Sequence, residues 1–191
     1  PDTQVRPLEA WATPQGTRDL IVGYAGGVLV ENAGDPGSSL TMDIVGSTIT
    51  ANKLKTVPVL TPGSNLGGGS GITFLAFEPV TLNLTSSIVW GNRLTGTGVG
   101  EVFEFESSDF GAGTVNLDHS DVGTVVVESA TLNDLGGNLD VDPEFADVPH
   151  LAASSPLVDA GTCSGLPATD FEGDARPTGA GCDIGADEVV P

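Results

Sequence analysis

Positive charge is what this chain has least of. Six basic residues, Arg6, Arg18, Lys53, Lys55, Arg93 and Arg176, stand against 26 acidic ones in 191 residues, leaving a formal charge of −20. A surface of that sign repels nucleic acid and anionic lipid, and it repels polyanionic glycans unless divalent cations intervene. Its natural small partners are cations, and the same acidity keeps a protein soluble in salty or extracellular settings. Apolar runs are short: no stretch of 18 apolar residues occurs, so no membrane span is expected. Helix-forming stretches rich in Ala, Leu, Glu and Lys are missing as well. Two chemistries lack their motifs, since there is neither a Gly-x-Ser-x-Gly elbow nor a Gly-Lys-Ser or Gly-Lys-Thr phosphate loop.

What the chain does contain is turn and strand material. Twenty-seven Gly and thirteen Pro, among many Thr, Val and Ser, describe short strands broken by frequent turns. The length suits one domain with a real core, so the expectation is a single all-β domain.

Self-similarity sets the architecture. Leu40-Thr41-Met42-Asp43-Ile44-Val45-Gly46-Ser47-Thr48-Ile49-Thr50-Ala51-Asn52 aligns with Val80-Thr81-Leu82-Asn83-Leu84-Thr85-Ser86-Ser87-Ile88-Val89-Trp90-Gly91-Asn92, and Thr114 to Val122 echoes both. Repeats of this kind identify a solenoid, in which each turn buries its apolar face only by stacking on the next. Leu82 and Leu84 alternate with Thr81, Asn83 and Thr85, the period of two expected where one strand face points inward. Gly71 to Phe77 and Gly100 to Glu106 supply further strands, giving three strands per coil. Asn52 and Asn92 end their repeats at corresponding turns, where Asn tolerates left-handed backbone angles and stacks as an amide ladder. The Pro- and Gly-rich stretch 53–69 reads as a protruding loop. Residues 1–19 read as an irregular N-terminal segment or cap, 20–136 as the coils, and 137–191 as a closing segment of the same domain.

The final fifty residues carry the most specific pattern. Asn138-Leu139-Asp140-Val141-Asp142-Pro143-Glu144-Phe145 is followed by His150-Leu151, Ser155-Pro156-Leu157-Val158-Asp159-Ala160-Gly161, Asp170-Phe171-Glu172-Gly173-Asp174-Ala175-Arg176-Pro177 and Asp183-Ile184-Gly185-Ala186-Asp187-Glu188. This collinear order resembles the closing segment of secreted right-handed parallel β-helix proteins of the choice-of-anchor Q type. The resemblance is detailed over 137–188 and general over 40–188. It implies a right-handed parallel β-helix, secreted or held at the cell surface, and a chain starting at Pro1 that is a processed or truncated product. In that extracellular setting Cys163 and Cys182 are expected to form a disulfide tying the closing segment, for which loop entropy gives roughly 3 kcal/mol. His119 and His150 belong to no metal-type spacing with them.

Candidate chemistry sits on carboxylates. Asp140 and Asp142 alternate on an extended stretch, and Asp170, Glu172 and Asp174 repeat that spacing beside Gly173. Oxygen ligands at alternating positions suit Ca²⁺, while turn capping and pairing of Arg176 with Asp174 or Asp183 explain the same residues without an ion. Polysaccharide cleavage needs either a basic residue beside a cation or two or three carboxylates on adjacent coils. Asp43, Asp118 and Asp121 are the candidates for such stacking, but the paired-Asp and Gly-His-Gly signatures of the pectin-cleaving hydrolases are missing. His119, between Asp118 and Asp121, reads as a general acid, a ligand or a plain turn imidazole. Trp90 and Arg93 are candidates for glycan contact, with Trp11 as a second aromatic face, and corner packing is the competing role of Trp90. The expectation is a non-catalytic structural or adhesive module that assembles with itself head to tail or binds surface glycans. A glycan-binding or polysaccharide-cleaving module is the alternative.

Overall fold

The structure is a computed structural model that describes residues 27–32, 37–55, 71–76, 78–95, 105–107, 113–127 and 130–190. The expected N-terminal segment 1–19 and most of the expected loop, residues 56–69, lie outside these. The described residues are strand and turn throughout, with no helix.

The described residues make four passages. The first contributes β1 (Val28–Asn32), β2 (Leu40–Val45), β3 (Thr48–Thr50) and β4 (Lys53–Lys55), and the second β5 (Ile72–Ala76), β6 (Val80–Thr85), β7 (Ile88–Trp90) and β8 (Arg93–Thr95). The third gives β9 (Phe105–Ser107), β10 (Gly113–Asp118) and β11 (Asp121–Val122), and the fourth β12 (Val125–Val127) and β13 (Thr131–Asp134). A hairpin of β14 (Phe145–Asp147) and β15 (His150–Leu151) follows.

Consecutive strands go to different sheets, and equivalent strands of successive passages lie side by side. The orders are β1-β5-β9-β12, β2-β6-β10-β13, β3-β7-β11 and β4-β8, and every pairing within them is parallel. The first two passages thus carry a fourth short strand beyond the three expected per coil. Lys53–Lys55, placed by the sequence in the protruding loop, is strand β4 pairing with Arg93–Thr95. Register explains why: the repeat that aligns Leu40 with Val80 continues far enough to align Lys53 with Arg93.

The core follows from the period of two. Val80, Leu82 and Leu84 of β6 and Val115 and Leu117 of β10 point inward, and with Ile44, Ile72, Val89 and Val122 they form one buried cluster. Between the second and third sheets the chain turns on stacked residues of positive φ, Gly46 (51°), Ser86 (45°), His119 (46°) and Gly137 (68°). After each comes a short polar residue that ties its passage to the one above. The Ser87 hydroxyl accepts the Ser47 N–H, the Ser120 hydroxyl the Ser87 N–H, and the Asn138 amide oxygen the Ser120 N–H. Asn52 and Asn92 form the expected second ladder, the Asn52 amide donating to Asn92 Oδ1 at 2.9 Å while Asn92, fully buried, donates to the Ile49 carbonyl.

The closing segment begins on the end of the third sheet, where Leu139 bridges Asp121, and then lies along the flank of the stack. Gly185 N–H donates to Ser86 O, Ala186 N–H to the Thr48 hydroxyl, and Ser86 exchanges hydrogen bonds with the Thr162 backbone. A second buried cluster of Ile88, Leu151, Leu157 and Ile184 seals this contact, with Trp90 packed against it. Cys163 and Cys182 are disulfide-bonded, with Cα atoms 5.3 Å apart.

Candidate functional site

Three places on this scaffold gather groups capable of chemistry or recognition. One is the polar face of β2, β6, β10 and β13. There Thr41, Thr81, Thr114 and Thr131 stand in one rank, with Asp43, Asn83, Asn116 and Asn133 in the next. The second rank is a continuous ladder: Asn133 donates to Asn116 at 2.8 Å, Asn116 to Asn83 at 2.7 Å, and Asn83 to the Asp43 carboxylate at 2.6 Å. Parallel strands about 4.8 Å apart make this face a flat array of short polar groups.

The same geometry separates the carboxylates expected to stack for hydrolysis. Asp43 belongs to the amide ladder, Asp118 stands in the Thr85 column and pairs with His119 Nδ1 at 2.6 Å, and Asp121 is buried in the adjoining sheet. The glycan candidates also part company. Trp90 is half-buried against the closing segment, while Arg93 is exposed beside its register partner Lys53.

A second place is the end of the stack. The inward column Met42, Leu82, Val115, Leu132 runs through all four passages. Leu82 and Val115 are sealed at 0 and 1 % exposure, whereas Leu132 on the last strand is 42 % exposed and Leu135 beyond it 60 %. Among the described residues β13 pairs only with β10, and beside it opens a cavity of about 520 Å³ lined by Leu117, Val122, Val125, Leu139 and Asp140. The sequence assigned the closing motif to this end. Its first part does sit there, since Leu139 bridges Asp121 and exchanges hydrogen bonds with Ser120 and Val122 at the end of the third sheet, while its later part runs along the flank to Ser86 and Thr48 and leaves β13 uncovered among the described residues.

The third place is the surface of the closing segment. Asp170, Glu172 and Asp174 do come together, with carboxylate oxygens within 4.8 Å of one another. Their arrangement is a turn wrapped around Asp170: its Oδ1 accepts the N–H groups of Glu172, Gly173 and Asp174, each at 2.9 Å, and Oδ2 accepts that of Glu188. Burial opposes ionisation of Asp170, but these donors outweigh it and hold the carboxyl below its usual range. Asp142 is likewise a turn cap, its Oδ1 accepting the Glu144 N–H, and among the described residues neither it nor exposed Asp140 joins a group of three ligand-bearing side chains. Arg176 pairs with Glu188 in the interior, Nη1 to Oε2 at 3.5 Å, and also donates to the carbonyls of Asp183, Gly185 and Asp187. Asp183, one of its expected partners, instead accepts the N–H groups of Asp159 and Val189.

Beside the Asp170 turn stands a group that no spacing revealed. The β14–β15 hairpin sets His150 opposite Asp147, with Nδ1 2.5 Å from Oδ1. Nε2 lies 3.1 Å from Glu172 Oε2, and a carboxylate oxygen of Asp187 falls within the same 4.8 Å circle. The hydrogen bond to Asp147, reinforced by the charges of Asp147, Glu172 and Asp187, raises the His150 pKa. Phe171, half-exposed, lays its ring 5.4 Å from the imidazole. These residues lie 22 and 15 positions apart in sequence, and only the hairpin and the Asp170 turn bring them together.

Comparison with protein-family models, with curated proteins and with solved structures finds no match to this chain.

Proposed function

We propose that this protein is an extracellular, non-catalytic structural and adhesive module, a right-handed parallel β-helix that associates head to tail with copies of itself. The carrying observation is the open end of the stack, where Leu132 continues the sealed Leu82–Val115 column yet remains 42 % exposed on an edge strand. An edge of unpaired backbone groups over an apolar interior is a template for another strand, and native proteins cover such edges. The occupant is the first passage of a second copy. A contact between two different ends does not close on itself, so it propagates into a filament. The β-helix reading is supported by parallel sheets in which each passage stacks on the last, and by the crossover rule that favours right-handed connections. Export is supported by the disulfide and by the closing motif's likeness to that of choice-of-anchor Q proteins. Among the described residues no helix is long and apolar enough to cross a membrane.

Sedimentation velocity over rising concentration, with negative-stain microscopy, tests the reading. Rods that lengthen with concentration are expected, and Leu132→Glu should return them to single particles without loss of β structure. Single particles for the parent chain at every concentration would overturn self-association.

The Thr and Asn ranks favour a second reading, an extended neutral glycan lying along β2, β6, β10 and β13. On that reading Asn83→Ala would weaken retention on a polysaccharide column, and Leu132→Glu would not.

A further inference from the structure

We propose that His150, Glu172 and Asp187 form a binding site for a divalent transition-metal ion, with zinc as the best match. The donor set is one imidazole nitrogen and two carboxylates, a combination that suits zinc, whereas calcium takes six to eight oxygens. Around a tetrahedral zinc with bonds of about 2.0–2.1 Å, ligand atoms lie roughly 3.3 Å apart. His150 Nε2 and Glu172 Oε2 are 3.1 Å apart, and one ligand atom each from His150, Glu172 and Asp187 lie within 4.8 Å of one another.

Two independent observations separate this group from an ordinary acidic surface. Asp187 is only 5 % exposed, and although its Oδ2 accepts the Leu151 N–H at 2.8 Å, Oδ1 accepts no hydrogen bond from the described residues. The Leu151 N–H thus fixes the Asp187 carboxylate in place beside His150 and Glu172. The second is the support behind the imidazole. Asp147 holds Nδ1, which fixes the ring and leaves Nε2 to face Glu172, the carboxylate–histidine arrangement found behind metal ligands. Both cysteines are in the disulfide, so the first shell is nitrogen and oxygen only. With the His150 and Glu172 side chains 37 and 49 % exposed, the open coordination positions face water.

The three ligands come from β15, from the Asp170 turn and from the stretch that carries Arg176's partner Glu188. An ion here would pin all three together, as a second clasp beside the disulfide.

The test is calorimetric titration of the chelator-stripped full chain with zinc chloride, backed by absorption spectroscopy at the zinc edge. The expected result is one saturable site with a Kd of about 1 μM or tighter, one imidazole nitrogen among oxygen ligands, and a rise of several degrees in Tm that EDTA reverses. His150→Gln and Glu172→Gln, both at exposed positions that leave the core intact, should each weaken binding by more than tenfold. Asp147→Asn should weaken it by about 10–100-fold. Absence of saturable binding, or zinc binding unchanged in His150→Gln, would overturn the site and leave His150 as a protonated ion-pair partner of Asp147 and Glu172.

Discussion

Asp121 shows how a single residue sets a pH dependence. It stands in the column of Ile88, is fully buried, and satisfies only Oδ1, which accepts the Val141 N–H at 3.0 Å; Oδ2 has no partner. Burial pushes its carboxyl up to about 6, against the Val141 hydrogen bond and with help from the charges of Asp140 and Asp142. Because the folded pKa lies above the unfolded value of 3.8, the native state holds this proton more tightly. The stability it contributes is complete below pH 4, declines as pH rises to about 6, and is absent above that, a difference of about 3 kcal/mol. Asp121→Asn removes the titration. Thermal unfolding from pH 4 to 8 should therefore show the variant gaining on the parent as pH rises, with the gap widest above pH 6.5. Parallel curves would mean that Asp121 ionises freely in the folded protein.

At the scale of the element, the stacked turns are what hold the passages in register. Gly137 ends the series Gly46, Ser86, His119, and a Cβ at its position would collide with the His119 ring while the backbone sits at φ +68°. Gly137→Ala should cost about 1–3 kcal/mol. Adding His119→Ala removes the collision but not the backbone strain, so the double variant should lose less than the sum of the two single changes by denaturant unfolding. An additive result would place the whole cost in the backbone. Much of this layer was legible in the sequence, because Leu40–Asn52 and Val80–Asn92 write the same strand, turn and Asn twice. The pairing of Asn52 with Asn92 and the inward set Leu82, Leu84 follow from that repetition alone. The His150 group was not legible, because its members share no period and meet only through a hairpin and a turn. The flank position of the closing segment was hidden for a related reason: Ala186 bonds Thr48, 138 residues away, and no local pattern encodes such a contact. The exposure of Leu132 is intermediate, since Thr131-Leu132-Asn133 repeats Thr81-Leu82-Asn83, but Asp134 stands where Leu84 and Leu117 are buried.

The whole molecule combines a repetitive stack with a non-repetitive clasp, and the two are stabilised by different means. The stack rests on apolar columns and amide ladders, whereas the clasp rests on the Arg176–Glu188 pair, the Ile88–Leu157–Ile184 cluster and the Cys163–Cys182 bridge. Cys182 is buried, and its carbonyl accepts the Gly161 N–H at 2.7 Å, so the disulfide binds the loop that brings Ile184 into the Ile88 cluster and Gly185 to Ser86. Removing it frees that loop in the unfolded chain and should cost roughly 3 kcal/mol. For a chain of this length the corresponding fall in Tm is about 6–12 °C. The loss should be uneven, since the amides of Leu82, Leu84 and Val115 lie in ladders that never touch the bridge. In Cys163→Ser/Cys182→Ser, hydrogen exchange should accelerate at Ile184 and Gly185 while those three amides keep their protection. Equal loss of protection in both regions would mean that stack and clasp unfold as one cooperative unit. In that case the flank contact at Ser86 and Thr48 would govern the stability of the entire chain.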